Sequence, residues 1–365
     1  MSSRSPAAQA RERRRPVGVL IPSLVVGIAM AVAAFAVEPT YGWSGLLIGA
    51  VFGVTIAIGG ALFAAINVVA GARWWTPVRH HCIAVARTLP VPSAALGLVL
   101  AFGVWSLYPW ADADLVANNH LVHGKTPWLN WPFFVGRSVA ILLLWFVFVA
   151  ALRKRVEATD PKPPVRTAIG FLIIFAITIS VAMWDWAMSL EPEWFSTMHG
   201  VYGFAGCLQV GIAAVALRAL RDPTIGDKPL YDLGSLMFAF SLFWGYIWYS
   251  QGMLIWYANI PEETAHYATR LTGDWSMLFW LNPVINAVLP IVLLMSRHAK
   301  RSRFMVGQVA LIIIVGHLLD VLLLVGPAVG HASTVIPLAA AGSAMAIAAG
   351  MILLMRQSDG VSVRQ

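Results

Sequence analysis

A chain of 365 residues that is 59% hydrophobic and only 12% charged lacks the polar surface of a soluble domain, in which about a quarter of residues are charged. Its net charge of +8 is scattered through short stretches between apolar runs, not gathered on one helix or tail, which argues against nucleic acid as a partner. Two cysteines, Cys82 and Cys207, are too few for a structural zinc site or an iron–sulfur cluster, each of which takes about four ligands.

Residues 1–15 are polar and Arg-rich (RERRR) and are expected to be disordered. Ten apolar runs follow, near 16–37, 45–71, 90–109, 132–152, 166–189, 199–220, 231–252, 274–296, 303–325 and 333–355. Each is close to the roughly 20 helical residues that cross a ~30 Å hydrocarbon core. This pattern predicts an all-α polytopic membrane protein with one transmembrane domain over 16–355 and a short C-terminal tail, 356–365. The first run has the basic start and the Ala34-Phe35-Ala36 ending of a signal peptide. It is longer than the about 7–15 apolar residues of a signal, so it is expected to be kept as a helix.

With the N-terminus placed in the cytoplasm, all of the 25 Lys and Arg residues except Lys125, Arg137 and Arg270 fall in inner segments. Positive charge is retained in the cytoplasm during insertion, so both termini are expected there. Glu38, Asp112, Asp114, Glu191, Glu193, Glu262 and Glu263 then lie outside, as do the two long connections, 110–131 and 253–273. Of 16 tryptophans, all but Trp74, Trp75 and Trp145 fall in the outer half. A belt that met lipid alone would populate both interfaces. The outer face is therefore expected to meet protein partners or a planar ligand as well. On the inner side, 72–89 is expected to lie along the membrane surface as an amphipathic segment, with His80 and His81 exposed on it.

One internal echo recurs. Trp128-Leu129-Asn130 with Pro132 opens the fourth run, and Trp280-Leu281-Asn282-Pro283 lies near the start of the eighth. It points to a duplicated four-helix unit, 45–189 and 199–325, hence two four-helix bundles with the first and tenth helices at their periphery.

An ionisable side chain in hydrocarbon costs about 2.5–3.5 kcal/mol on insertion scales, so each needs a partner or a purpose. Arg137 sits about six residues, ~9 Å at 1.5 Å per residue, below the outer end of the fourth run, and Asp185 a similar distance below that of the fifth. His317 and Asp320, three residues apart, share a face of the ninth. His199 opens the sixth from the same side. In a packed bundle these groups occupy one layer beneath the outer surface. They could be structural, with Arg137 and Asp185 joining two helices and His317 bonded to Asp320 within one. They could instead carry chemistry. Oxidising a hydroquinone releases two protons, which need carboxylate or imidazole acceptors. Asp185 and Asp320 are the candidate proton-exchanging groups, His317 a relay and Arg137 the charge that tunes Asp185. His199, Trp248, Tyr249 and Gln251 are the candidate quinone contacts, and no metal site is expected.

The stretches DWAMSLEPEWFST (Asp185–Thr197), WLNWPFFVGR (Trp128–Arg137) and SLFWGYIWYSQGMLIWYANIPEE (Ser241–Glu263) resemble the quinol-interacting membrane subunits of the polysulfide-reductase and nitrite-reductase type. More closely, they resemble the ActF family of alternative complex III, a bacterial quinol:electron-acceptor oxidoreductase. With the ten-helix plan the resemblance covers about 16–355. It implies two four-helix bundles and a place in the bacterial cytoplasmic (inner) membrane. It also implies quinone or quinol as ligand, no covalently bound cofactor, a sister membrane subunit, and outer-face partners holding iron–sulfur clusters and haem c. In that family quinol oxidation is assigned more firmly to the sister subunit, and the role implied here leans toward scaffold and proton transfer. The alternatives are a secondary transporter, whose repeats usually meet in broken helices at the midplane, and a purely structural membrane anchor.

Overall fold

The computed structural model describes residues 17–157, 164–330 and 334–362, and among them every regular element is a helix. The expected basic tail, 1–15, lies outside the described residues. Ten helices are long and apolar enough to cross a membrane. They are α1 (Val17–Val37), α2 (Pro39–Val69), α3 (Arg79–Leu107), α4 (Trp131–Val156) and α5 (Val165–Leu190). The second half contributes α6 (Met198–Ala219), α7 (Asp227–Ala258), α8 (Gly273–Leu293), α9 (Arg303–Val329) and α10 (Val335–Ser362). The all-α polytopic plan expected from hydropathy is therefore the observed one.

Two boundaries differ for physical reasons. Part of the segment expected to lie on the inner surface is instead the first turns of α3. Cys82 to Ala86 are buried against α2, so the small apolar side chains of CIAVA pack inward and do not face headgroups. His80 stays outside the core, whereas His81 turns toward Asp222 at 3.3 Å. At the other face α7 runs on past its apolar stretch to Ala258. Asn259 ends it in the left-handed region, φ 48°, a conformation that Asn tolerates better than most residues.

α2 is the axis of the molecule, buried along almost its whole length. It packs against α3 and α5 on one side and against α6 and α9 on the other. Helices α2–α5 enclose one bundle and α6–α9 a second, with α2 and α6 forming the seam between them. Their closest approach needs glycine: a Cβ on Gly59 would sit 2.3 Å from the Cys207 carbonyl oxygen, and one on Gly211 2.4 Å from the Gly59 backbone. In a membrane such small-residue contacts let backbones touch and replace the hydrophobic drive that lipid removes. α1 and α10 pair with each other beside α2, outside both bundles.

Two spans are interrupted by single π-helical turns, Val99–Gly103 in α3 and Val284–Val288 in α8. In α8 the turn follows Pro283, which has no N–H to continue the ladder. The outer connections are also helical. Residues between α3 and α4 fold into Ala113–Asn118 and His120–Gly124. Between α7 and α8 the amphipathic helix Pro261–Leu271 buries His266 and Arg270 and exposes its other face, forming a lid over the second bundle.

Candidate functional site

The first bundle holds one buried ion pair. Asn130 caps α4 by accepting from the Phe133 N–H at 3.1 Å, which fixes the entry angle of the chain. Two turns on, Arg137 reaches Asp185 of α5 with both ends of its fork, Nε to Oδ2 and Nη2 to Oδ1, each 2.9 Å. The Trp128 indole donates to Asp185 Oδ1 at 3.2 Å, and Arg137 Nη1 donates to the Trp128 carbonyl at 3.0 Å. The guanidinium lies in the corner made by the edge-to-face rings of Trp128 and Phe133, 4.0 and 4.2 Å from their centroids. The Asp185 side chain is 1% exposed and that of Arg137 10%, so the carboxylate is fully buried and the guanidinium lies at the edge of the bundle. The pairing of the fourth and fifth helices through these two residues, offered by the sequence, is therefore present.

The second bundle treats its carboxylate differently. Among the described residues Asp320 of α9 forms no ion pair. The Tyr202 hydroxyl of α6 and Asn282 Nδ2 of α8, the latter at 2.8 Å, both donate to its Oδ1. From there the bonds continue inward. Asn286 Nδ2 donates to Asn282 Oδ1 at 2.7 Å, and Gln209 Nε2 donates to the Asn286 carbonyl at 2.7 Å and to Ser241 Oγ at 2.9 Å. Four helices thus share one polar seam that runs from beneath the outer surface to the middle of α6. The π turn places Asn286 in it. Gly316 of α9 makes room, since a Cβ there would lie 2.6 Å from Asn286 Oδ1.

His317 does not bond to Asp320, contrary to the intrahelical pairing offered as a structural reading. Its Nε2 is 2.7 Å from Thr55 Oγ1 on α2, and its ring lies 6.0 Å from that of Phe52. Residues three apart on a helix lie about 60° apart around its axis, so they can face different neighbours. Here His317 points to the bundle interface and Asp320 into the bundle.

Above the seam the lid makes a second ionic cluster, in which Glu191 and Arg270, both expected on the outer side, meet His266. Glu191, just after α5, receives Arg270 Nη1 at 2.8 Å and His266 Nδ1. Arg270 Nε also donates to the Leu323 carbonyl at 3.0 Å. That carbonyl is the one Pro327 cannot serve, because proline lacks the N–H four residues on. The imidazole of His266 stacks on Trp194 at 3.7 Å and 7°. Burial raises the Glu191 carboxyl, but the hydrogen bond from His266 and the Arg270 guanidinium outweigh it and hold the group at about 2. Burial first and Arg270 second push His266 down to about 4, against the pull of Glu191. At neutral pH an ionised Glu191 accepts from a neutral imidazole protonated at Nδ1, with Arg270 as the counter-charge.

Between lid and seam lies a cavity of about 30 Å³, lined by His266, Arg270 and Tyr267 above and by Tyr202, Asn282 and Asp320 below. A space of that size holds one or two waters. Trp248 and Gln251 also line it, whereas Tyr249 is 61% exposed on the outside of α7. His199 is buried against Trp194, with neither ring nitrogen in a protein hydrogen bond. The four candidate quinone contacts therefore divide, two on the cavity and two away from it. Pockets that take a planar ligand measure about 300–1,000 Å³, so a quinone ring enters this one only if the lid moves.

Among the described residues no three His, Cys, Asp or Glu side chains come together as a metal ion would need. No protein-family model matches the chain, and no curated protein matches it either. What the fold and site define is an integral membrane protein of ten apolar helices with a buried carboxylate under an outer lid.

Proposed function

We propose that this chain is a membrane subunit of a bacterial respiratory quinol-oxidising complex of the alternative complex III type. In this reading Asp320 exchanges protons with the outer surface, and the chain carries no redox metal of its own. The observation that carries it is the contrast around Asp320. The carboxyl is buried among neutral donors, so gaining or losing a proton there breaks no ion pair. The small cavity sets it one or two waters from His266, which in turn bonds to the part-exposed Glu191. A relay of this kind needs each step within hydrogen-bond reach or bridged by a single water.

Arg137 and Asp185, bound to each other by two hydrogen bonds, serve as scaffold in this proposal. Quinol contact falls to Trp248 and Gln251 at the edge of the lid, or to a sister subunit against the aromatic outer surface, where Trp256 and Tyr257 are 78% and 84% exposed. Outer-face subunits with haem c and iron–sulfur clusters receive the electrons, and the membrane is the cytoplasmic (inner) one.

Two measurements test the proposal together. The chain is purified in mild detergent from its native membrane and the absorbance of co-purifying haem recorded. Asp320→Asn is then compared with wild type for quinol-linked turnover and proton release. Haem-containing partners and an assembled but slowed variant are the expected results. A chain that isolates alone and haem-free, or a variant with unchanged turnover and proton release, overturns the reading.

A further inference from the structure

The small cavity beside Asp320 has a larger neighbour. A cavity of about 570 Å³ lies between the outer connections of the two bundles. Leu115 and Val122 line it from the first connection, Glu191 and Glu193 from the stretch after α5, Glu262 from the lid and Pro327 from α9. Leu115, Glu193 and Glu262 are exposed, so this space is continuous with the outer solution and holds far more than one or two waters.

Among the described residues, His266 alone lines both spaces. Its side chain is 8% exposed. The imidazole lies on Trp194 at 3.7 Å and 7°, a van der Waals contact that leaves no room for water between the rings. Its Nδ1 is bonded to Glu191. The Glu191–Arg270 pair crosses the same boundary. Glu191 lines the outer space and Arg270 the small cavity, and 2.8 Å separates Arg270 Nη1 from Glu191 Oε1. One aromatic ring and one ion pair therefore stand between bulk water and Asp320. Arg270 is fixed further by the Leu323 carbonyl at 3.0 Å. The ring is the part that side-chain rotation moves without drawing opposite charges apart.

We propose that the larger space is the aqueous mouth of the Asp320 site and that His266 is its seal, admitting bulk water to the small cavity only when the ring leaves Trp194. While the seal is closed, water and hydrated ions stay in the mouth and the hydrogen bonds around Asp320 keep their own one or two waters. The use of this arrangement as a proton route rests on the function proposed above. The mouth and the seal stand on the geometry alone.

The test follows the water. The full chain in detergent is mixed with ¹⁸O-labelled water, pulsed with X-rays at increasing delays, and its hydroxylated side chains are read by mass spectrometry. Tyr202, Tyr267 and Phe279 line the small cavity and take oxygen from the water beside them, so their isotope ratio reports how fast that water exchanges with bulk. Leu115 and Val122 report on the mouth. In the wild type the mouth is expected to reach the bulk ratio first and the small cavity to lag at least tenfold in time. His266→Ala should abolish the lag, whereas His266→Phe, which keeps a planar ring against Trp194, should preserve it. A wild-type cavity that exchanges as fast as the mouth overturns the proposal. So does a lag unchanged in His266→Ala, or one lost equally in His266→Phe. Backbone exchange over 261–271 is followed on the same samples, and the wild-type arm decides alone where the alanine variant loosens the lid. Unchanged turnover in Asp320→Asn would overturn the function proposed above and leave each of these outcomes standing.

Discussion

The two bundles bury one aspartate each in the outer half of their last helix, and they surround it in opposite ways. Asp185 is held by a bidentate arginine that packs on two aromatic rings, while Asp320 faces a hydroxyl and an amide. In a low-dielectric interior this difference decides what each group can do. A carboxylate locked to a cation is costly to protonate and costly to disturb, so it holds helices together. A carboxyl among neutral donors changes its proton without leaving an opposite charge stranded. The residue type is the same in both bundles; the partner separates joint from candidate relay.

Removing the cation from the first bundle should give the largest effect. Arg137→Met leaves Asp185 buried with only the Trp128 indole and should cost about 3–5 kcal/mol, read as a fall in thermal unfolding midpoint in detergent. Arg137→Met combined with Asp185→Asn should recover most of that loss. If the single variant is as stable as wild type, the pair is not a joint and the contrast between the bundles fails.

Arg270→Leu comes next. It strips Glu191 of its counter-charge and leaves the Leu323 carbonyl without a donor. Lost charged hydrogen bonds of this kind cost about 1.5–3 kcal/mol. Hydrogen exchange over residues 261–271 should accelerate far more than in the first bundle.

Asp320→Asn should cost less than about 1.5 kcal/mol, since neutral donors remain around a neutral amide, yet slow quinol-linked turnover at least tenfold in the assembled complex. A large stability loss with normal turnover would move Asp320 into the same class as Asp185.

The lid should also respond to pH, with a definite sign. His266 has a depressed folded value, about 4, against about 6.5 when unfolded. The unfolded chain therefore binds more protons as pH falls through that window, and lid stability declines from pH 6.5 toward 4. Glu191, held at about 2, adds a further loss below about pH 4.3, where the unfolded carboxyl protonates. Exchange protection over the lid, corrected for the intrinsic pH dependence, should fall in that order. The smallest effect is expected from Thr55→Val, which removes one hydrogen bond to His317 and should cost about 1 kcal/mol.

The ten spans were legible because a ~30 Å apolar solvent imposes a length and a composition on any helix that crosses it. The same solvent made Arg137, Asp185, His317 and Asp320 stand out, since a titratable group in an apolar run is rare whatever surrounds it. Partners were not legible in the same way. Thr55 lies 262 residues from His317 and Tyr202 lies 118 from Asp320, and a threonine or tyrosine in an apolar run carries no signal of its own. The lid cluster was hidden for a different reason. Glu191, His266 and Arg270 lie in outer connections, where charged residues normally meet water, and nothing local to them signals burial. The orphaned Leu323 carbonyl could have been anticipated from Pro327; that Arg270 would serve it could not.

Hydropathy and charge thus determined by themselves that this chain is a ten-helix membrane protein with costly groups beneath one face, because solvent transfer acts on each residue where it stands. Which of those groups would be locked and which left free to exchange a proton was decided only when helices distant in sequence packed together. The energy of a buried charge depends on the few atoms within about 4 Å of it, and those atoms come from other helices.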